Sequence, residues 1–339
     1  MTVSFTFEGN HYPISKIIMP YHSMNETLKN DNPDEYGFPV RTSLEIYGLT
    51  GIGKSTVTTD IATHISKALD NRPISYLDLE GQDENVITRV LRNAGYAAET
   101  LKWVGVGAKE KPTDEKLLGK LLDDLLEGNI GILDSVAEIS PVAEVEGDIG
   151  DANMGRRAFP MAQFSRQVTR ALRMMETPSV LFMINHLYEK MATGGNAKVY
   201  TSPGGVVKDN LCKLRIEMRV PWVQYLSAGE SKTEGRWNEF GAWILEGKVN
   251  KNRSGAKNEV FQVFVYGGHG VHIGMSAVID CLASGLAVMK SGGKLTMNGI
   301  DYGLLSKVIG AKKDDKEFFT PFVNALNGEI DTVSSQGEK

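Results

Sequence analysis

Cysteine is nearly absent from this sequence: of 339 residues only Cys212 and Cys281 carry a thiol. Two thiols so far apart supply neither a disulfide framework nor the paired ligands of a zinc site. Long apolar runs are missing too, and no stretch approaches the roughly 20 residues that span a bilayer. The opening residues, Met1-Thr2-Val3-Ser4-Phe5-Thr6, show neither the basic nor the hydrophobic part of a secretory signal. These absences predict a cytoplasmic protein with no membrane partner. Surplus positive charge is lacking as well. There are 37 Lys and Arg against 42 Asp and Glu, a net charge of −5, which taken as a sum argues against a nucleic-acid binder. Internal repeats are absent.

What is present is ordinary in bulk, with 41% hydrophobic and 23% charged residues, as in a globular protein able to bury a substantial core. One large domain with a smaller satellite is the expectation. The charge is unevenly spread. Between Asp151 and Arg219 stand eleven Lys and Arg against five Asp and Glu, a local excess of +6. Such an excess is by itself the mark of a solvated helical face, and it gains meaning only from its position.

Residues 1–40 read as irregular, with a possible strand at Val3–Phe7 and a turn-rich stretch at Asn30–Asp34. From Thr42 strands and helices alternate. Strands are predicted at Thr42–Tyr47, Ile74–Leu79, Ile130–Leu133 and Ser179–Asn185. Val57, Ile61 and Ile65 fall on one helical face, and further helices are predicted over Asn85–Gly95, Lys116–Leu126 and Ala158–Glu176. That alternation implies a mostly parallel sheet covered on both faces. After Cys212 the chain becomes strand-rich (Lys213–Val220, Trp243–Asn250, Glu259–Tyr266), and a smaller portion follows with a helix at Met275–Leu286 and a hairpin near Gly292–Ile300. The tail Val333–Lys339 is expected to fray.

Between the first strand and the first helix lies Gly48-Leu49-Thr50-Gly51-Ile52-Gly53-Lys54-Ser55-Thr56, which fits the phosphate-loop pattern G-x-x-x-x-G-K-[ST]. Its glycines let successive N–H groups turn toward phosphate oxygens, and the following helix presents its positive end. Lys54 can reach the β- and γ-phosphates, and the Ser55 hydroxyl can ligate Mg²⁺. Asp134 closes the strand Ile130–Leu133, where it can act as the second metal ligand. Glu80, just past the second strand, is the candidate general base, since strand C-terminal ends line the crevice of open α/β sheets. ATP and Mg²⁺ are the expected cofactors.

The segment from Asp134 to Gly155, with Glu144-Val145-Glu146-Gly147-Asp148-Ile149-Gly150-Asp151-Ala152-Asn153-Met154-Gly155 at its centre, resembles the bacterial RecA family. The similarity extends from about residue 40 to about 325. It implies a RecA-like P-loop ATPase core over residues 41–270 with two DNA-binding loops. A divergent segment at 1–40, a small α+β C-terminal domain at 271–330 and a flexible tail at 331–339 would complete the chain. Glu80 then corresponds to the family's catalytic glutamate, and Met154, with Gly155 and Arg156, to the first DNA loop. Arg166 would face the DNA backbone. Tyr188 to Gly205, including Lys198, Tyr200 and Gly204, would form the second loop. Tyr188 and Tyr200 are either base-stacking platforms or ordinary loop tyrosines. Lys251 and Arg253, in Lys251-Asn252-Arg253, would reach the ATP of a neighbouring subunit. The charge excess falls on the long helix and both loops, where phosphate neutralisation is expected.

Several positions depart from the family. His186 stands where a γ-phosphate-sensing glutamine is usual, and the resemblance implies that it takes over that role. Asp209-Asn210 replaces a Lys-Phe pair that couples ATP to the subunit interface, and no residue matches the tyrosine that covers adenine. The family's N-terminal helix is missing from the reading of residues 1–35. The resemblance implies a recombinase of a bacterial or phage-infected cell that assembles as a filament on single-stranded DNA and pairs it with homologous duplex. A hexameric helicase on the same core, a non-catalytic paralogue that binds DNA or a recombinase, and a DNA-independent ATPase are the rival readings.

Overall fold

The computed structural model describes residues 6–7, 10–11, 16–29, 36–97, 100–105, 112–140, 158–174, 178–190, 199–201, 211–227, 232–253, 255, 257, 259–311 and 314–336. In chain order the principal elements are α1 (His22–Thr27), β1 (Thr42–Gly48), α2 (Lys54–Ala68), β2 (Ile74–Asp78), α3 (Glu84–Asn93), β3 (Leu101–Trp103), α4 (Asp114–Leu126), β4 (Ile130–Asp134), α5 (Ala158–Met174) and β5 (Val180–His186). They continue with β6 (Leu214–Arg219), β7 (Ala242–Asn252), β8 (Val260–Tyr266), β9 (Gly270–Val271), α6 (Ile273–Ser284), β10 (Ala287–Lys290), β11 (Lys294–Met297), β12 (Ile300–Leu304), α7 (Leu305–Ala311) and α8 (Lys316–Gln336).

The architecture is α/β. Its central sheet runs in the order β9-β8-β7-β6-β1-β5-β4-β2-β3, with Arg236–Trp237 also paired to β7. From β6 to β3 every pairing is parallel, and from β6 to β9 every pairing is antiparallel. All residues of β1, β4 and β5 are buried, as expected of strands covered on both faces. Val57, Ile61 and Ile65 of α2 and Ile87 and Leu91 of α3 pack with Leu44, Ile46, Phe182 and Ile184. On the other face α4 and α5 bring Leu118, Leu121, Phe164 and Val168 against Leu133, Leu181 and Met183.

The helices start where their sequences provide for it. Asp83 accepts the Asn85 N–H ahead of α3, and Thr113 caps α4 through the Lys116 N–H. Helix α2 begins differently, after Gly53 at φ 98° and with no side-chain cap. Its first-turn N–H groups are therefore left for another acceptor.

The N-terminal segment differs from its sequence reading. Residues 16–29 and 36–40 form part of the core: Lys16–Ile17 pairs with Phe38–Pro39, and Ile17, Met24, Leu28 and Phe38 are fully buried. The two-residue strands and the six-residue α1 are too short to show periodicity, which explains why they read as irregular. Thr27 Oγ1 donates to the Val260 carbonyl (2.8 Å), and Asn25 closes the turn before α1 through Met19 N–H (2.9 Å) and Met19 carbonyl (2.7 Å). Helix α8 continues to Gln336. Toward the C-terminus, β10, β11 and β12 make a small antiparallel sheet, one strand more than the expected hairpin. It packs with α6, α7 and α8 onto Ile244 and Phe264 of the central sheet.

Two buried acids fasten α1 to this frame. Asp60 of α2 accepts the Tyr21 hydroxyl, and Asp280 of α6 accepts the Ser23 N–H at 3.0 Å. Burial raises each carboxyl to about 7, against the opposing hydrogen bonds of Tyr21 and Val271 on Asp60 and of Ser23 on Asp280. His64, 3.6 Å from Asp60, is pushed down to about 4 by burial and by the charge of Lys67, so it supplies no cation at neutral pH. An unfolded Asp releases its proton near pH ~3.9, whereas the folded one holds it to about 7. This contribution to stability is therefore complete at low pH and is lost as pH rises through that window. Asp60→Asn keeps an acceptor for Tyr21 and cannot ionise. Its urea midpoint should gain on the wild type between about pH 4 and about pH 7. A difference that does not change with pH would show that Asp60 does not titrate there.

Candidate functional site

Parallel pairing brings four strand ends to one edge. Gly48 of β1 is level with His186 of β5, Asp134 of β4 with Ile184, and Asp78 of β2 with Asp134. The turn from Gly48 to Ser55 leaves β1 at this edge. Gly51 (φ 76°) and Gly53 (φ 98°) take left-handed backbone that a side chain would strain. Gly48 is closely walled: a Cβ there would stand 2.4 Å from the Met218 carbonyl oxygen and 2.8 Å from Ile52 Cδ1. Leu49 is half exposed at the rim, and the Leu187 N–H ties β5 to the Gly48 carbonyl at 3.1 Å.

Lys54 is buried, donates to the Leu49 carbonyl at 2.9 Å and lies 3.3 Å from His186 Nδ1. Burial lowers its pKa, against the charges of Glu80 and Asp134. Thr50 Oγ1 lies 3.2 Å from the same ring nitrogen, while His186 Nε2 contacts Glu80 Oε1. A lysine ammonium can only donate. Nδ1 is therefore the acceptor, and the proton belongs on Nε2, which donates to Glu80. For Glu80 burial acts to raise the pKa, but the hydrogen bond from His186 and the charge of Lys54 outweigh it, and the net direction is down. The loop that carries Glu80 is turned by Asp78, whose carboxylate accepts the N–H groups of Glu80 (3.0 Å), Gly81 (2.9 Å) and Gln82 (2.7 Å).

Asp134 is fully buried. Its Oδ2 accepts Ser55 Oγ at 2.6 Å and the Tyr76 hydroxyl at 2.7 Å, and its Oδ1 has no hydrogen-bond partner. Burial lifts the carboxyl to about 6 in spite of those two hydroxyls, with Glu80 and Asp78 adding to the rise. An orphaned carboxylate oxygen beside a serine hydroxyl is a donor set that fits a divalent cation of the kind that accompanies a nucleoside triphosphate. Among the described residues no group of three or more His, Cys, Asp or Glu is placed to hold a metal alone. A cation here would therefore draw its remaining ligands from phosphate and water.

The other expected residues are placed as follows. Arg166 is exposed on α5, where Arg170 and Arg173 share its side at helical spacing. Tyr188 is half exposed, its ring centroid 6.3 Å from that of His186, at the start of a hairpin that pairs Tyr188–Lys190 with Val199–Thr201. Tyr200 contributes backbone to that hairpin. Lys251 and Arg253 are not brought to this chain's own phosphate loop. The residue of β7 level with Gly48 and Met218 is Gly247, and Arg253 lies six residues further, about 20 Å along the strand direction. Met154, Gly155, Arg156, Lys198, Gly204, Gly205 and the Asp209-Asn210 pair lie outside the described residues. The sequence reading missed Tyr76, Asp78 and Gln82, which shape the metal and base positions. Tyr76 could have been found, since it lies two residues before Asp78 and so on the same face of its strand.

Residues 34–234 match the family model described as the RecA N-terminal domain. The chain belongs to the RecA family, and its site is that of a P-loop ATPase. It is 28% identical over 288 residues to Protein RecA of Streptococcus mutans, covering 84% of this chain and 70% of that protein. It is 29% identical over 219 residues to Protein RecA of a Sulfurovum species, covering 64% and 57%. A crystal structure of the RadB recombinase aligns over 70% of this chain and 92% of its own, with a TM-score of 0.46 and 12% identity. No helix among the described residues is long and apolar enough to cross a membrane.

Gly48→Ala and Gly51→Ala separate two demands on the loop. The first forces a methyl into backbone 2.4 Å away, while the second meets nothing within 4 Å and costs only its left-handed backbone, about 1–2 kcal/mol. Gly48→Ala should abolish binding of a fluorescent ADP and lower the denaturation midpoint, and Gly51→Ala should keep measurable binding. Equal, small effects would mean that β6 yields freely to the loop.

Proposed function

We propose that this chain is an ATP-driven recombinase that assembles on single-stranded DNA and tests duplex DNA for homology. The observation that carries the proposal is the continuous contact from Lys54 and Thr50 through His186 to Glu80. That one hydrogen-bonded set supports reading Lys54 as the cation for the terminal phosphate, His186 as its sensor and Glu80 as the base. Bound Mg²⁺ would neutralise phosphate charge, held by Ser55 and Asp134. Glu80, kept ionised by its donors, accepts a proton from the attacking water. His186 loses its Lys54 contact when the ammonium turns to phosphate, and the ring beside it, Tyr188, begins the hairpin read as the second DNA loop. Lys251 and Arg253, too far to serve their own site, act on the nucleotide of the adjoining subunit. Arg166 and its neighbours on α5 supply charge for the DNA backbone.

The test is ATP hydrolysis with and without single-stranded DNA, with negative-stain microscopy of the same samples. DNA-stimulated turnover with helical filaments is the expected result, and rings of six would instead favour a helicase. Glu80→Gln should retain DNA binding while its turnover falls by about 100-fold or more. Rapid hydrolysis by that variant would remove Glu80 from the role of base. Wild-type protein that neither hydrolyses ATP nor assembles would leave a non-catalytic DNA-binding paralogue as the better reading.

A further inference from the structure

Near the start of β7, Trp243 reaches from the antiparallel half of the sheet to the phosphate loop. Its indole Nε1–H donates to the Ile52 carbonyl at 2.9 Å. The ring is enclosed by two glycines. A Cβ on Gly53 would stand 3.1 Å from Trp243 Cζ2, and one on Gly267 would stand 3.3 Å from Trp243 Cζ3. The indole therefore lies against Gly53 on one side and the turn after β8 on the other, which leaves little freedom to move.

A trans peptide unit is planar, with its C=O and N–H pointing in opposite directions. A carbonyl of Ile52 aimed at the indole obliges the N–H of Gly53, in the same peptide unit, to point away from it. Gly51, the other glycine of the turn, has nothing within 4 Å of the position its Cβ would take. Without the indole donor this peptide could rotate, because Gly51 and Gly53, at φ 76° and 98°, leave a loop with few side-chain restraints. An indole can only donate, so it holds one orientation of the peptide and not the reverse.

We propose that Trp243 is a positioning residue of the phosphate site, anchoring the Ile52 carbonyl so that the Gly53 N–H is directed at bound phosphate. The inference rests on the reading of residues 48–56 as a nucleotide phosphate loop. It assigns to β7 a part in the chain's own site, distinct from that of Lys251 and Arg253 at its other end.

W243F keeps a ring against Gly53 and Gly267 and removes the donor. Titration calorimetry with ADP and with pyrophosphate, alongside urea denaturation without ligand, tests the idea. W243F should bind both ligands about tenfold more weakly than wild type, in line with a lost hydrogen bond, while its unliganded midpoint stays close to the wild-type value. Unchanged affinity for both would overturn the proposal. Loss confined to ADP, with pyrophosphate unaffected, would also overturn it by placing the indole at the base or sugar. A loss of affinity that merely tracks lost stability would assign Trp243 a packing role. Should W243F fail to fold, wild-type protein labelled with 5-fluorotryptophan gives a second reading, its resonances assigned through W103F, W222F and W237F. Pyrophosphate must then shift the Trp243 signal, and a static signal overturns the proposal. Wild-type protein that binds neither ligand would remove the phosphate-loop reading itself, a result distinct from wild type and W243F binding alike.

Discussion

The site depends on the register of four parallel strands. Gly48, His186, Asp134 and Asp78 meet because β1, β5, β4 and β2 are paired so that these residues end level or nearly so. Side chains along a strand alternate between faces, so a slip of one residue would send each to the opposite side. In β4 such a slip would also drive Leu133 out of the α4–α5 core, where it packs with Leu181 and Met183. The apolar contacts of the two layers thus hold this register, and one of the layers includes Ile52 of the phosphate loop itself.

A second, polar constraint crosses the same sheet. Glu45 of β1, fully enclosed, accepts Asn185 Nδ2 at 2.8 Å on one oxygen and Arg215 Nε at 2.5 Å on the other. Asn185 Oδ1 accepts the His186 N–H at 3.0 Å, and the Arg215 guanidinium lies 4.9 Å from the centre of the Tyr47 ring. Asn250 on β7 donates to the Tyr47 hydroxyl (2.6 Å) and to Glu217 (2.8 Å). Burying such charges costs much of what their attraction returns, so net stability is a poor account of the network. What it adds is discrimination among pairings of β5, β1 and β6, because re-pairing these would part the buried Glu45 carboxylate from Asn185 or Arg215. The strands that end in His186 and in Asn252 are in this way set against one another through side chains as well as backbone.

The parts of the molecule legible in the sequence were those where chemistry forces a local pattern. Lys54, Ser55 and the glycines around them follow from what a phosphate turn requires, and Asp134 from a carboxylate closing an apolar strand. The Glu80 position was legible from its strand end, but the Asp78 turn that presents it was not, because three backbone N–H groups converging on one carboxylate leave no residue pattern. Trp243 gave no signal at all: its partner, Ile52, lies 191 residues away, and an aromatic residue at the start of a strand has many ordinary uses. Residues 16–29 were opaque for another reason. Their order comes from Asp60, Gln262, Val260 and Asp280, all contributed by distant chain, and tertiary contact outweighs local propensity in so short a helix.

Among the described elements, strand β7 runs from the phosphate loop to the far side of the sheet. At one end Trp243 meets the loop at Ile52 and Gly53. Eight residues on, about 26 Å away, Lys251 pairs with Arg215, beyond the reach of that loop. Between the two, the strand is hydrogen-bonded on both sides, to β6 and to β8, and Leu245 and Val249 are fully buried. Its pairing with β6 shifts register between Arg215 and Ile216, opposite Lys251 and Val249, so the Lys251 end is offset from the rest of the strand. On the proposed reading its far end serves the nucleotide of the adjoining subunit, so each strand would touch two ATP sites.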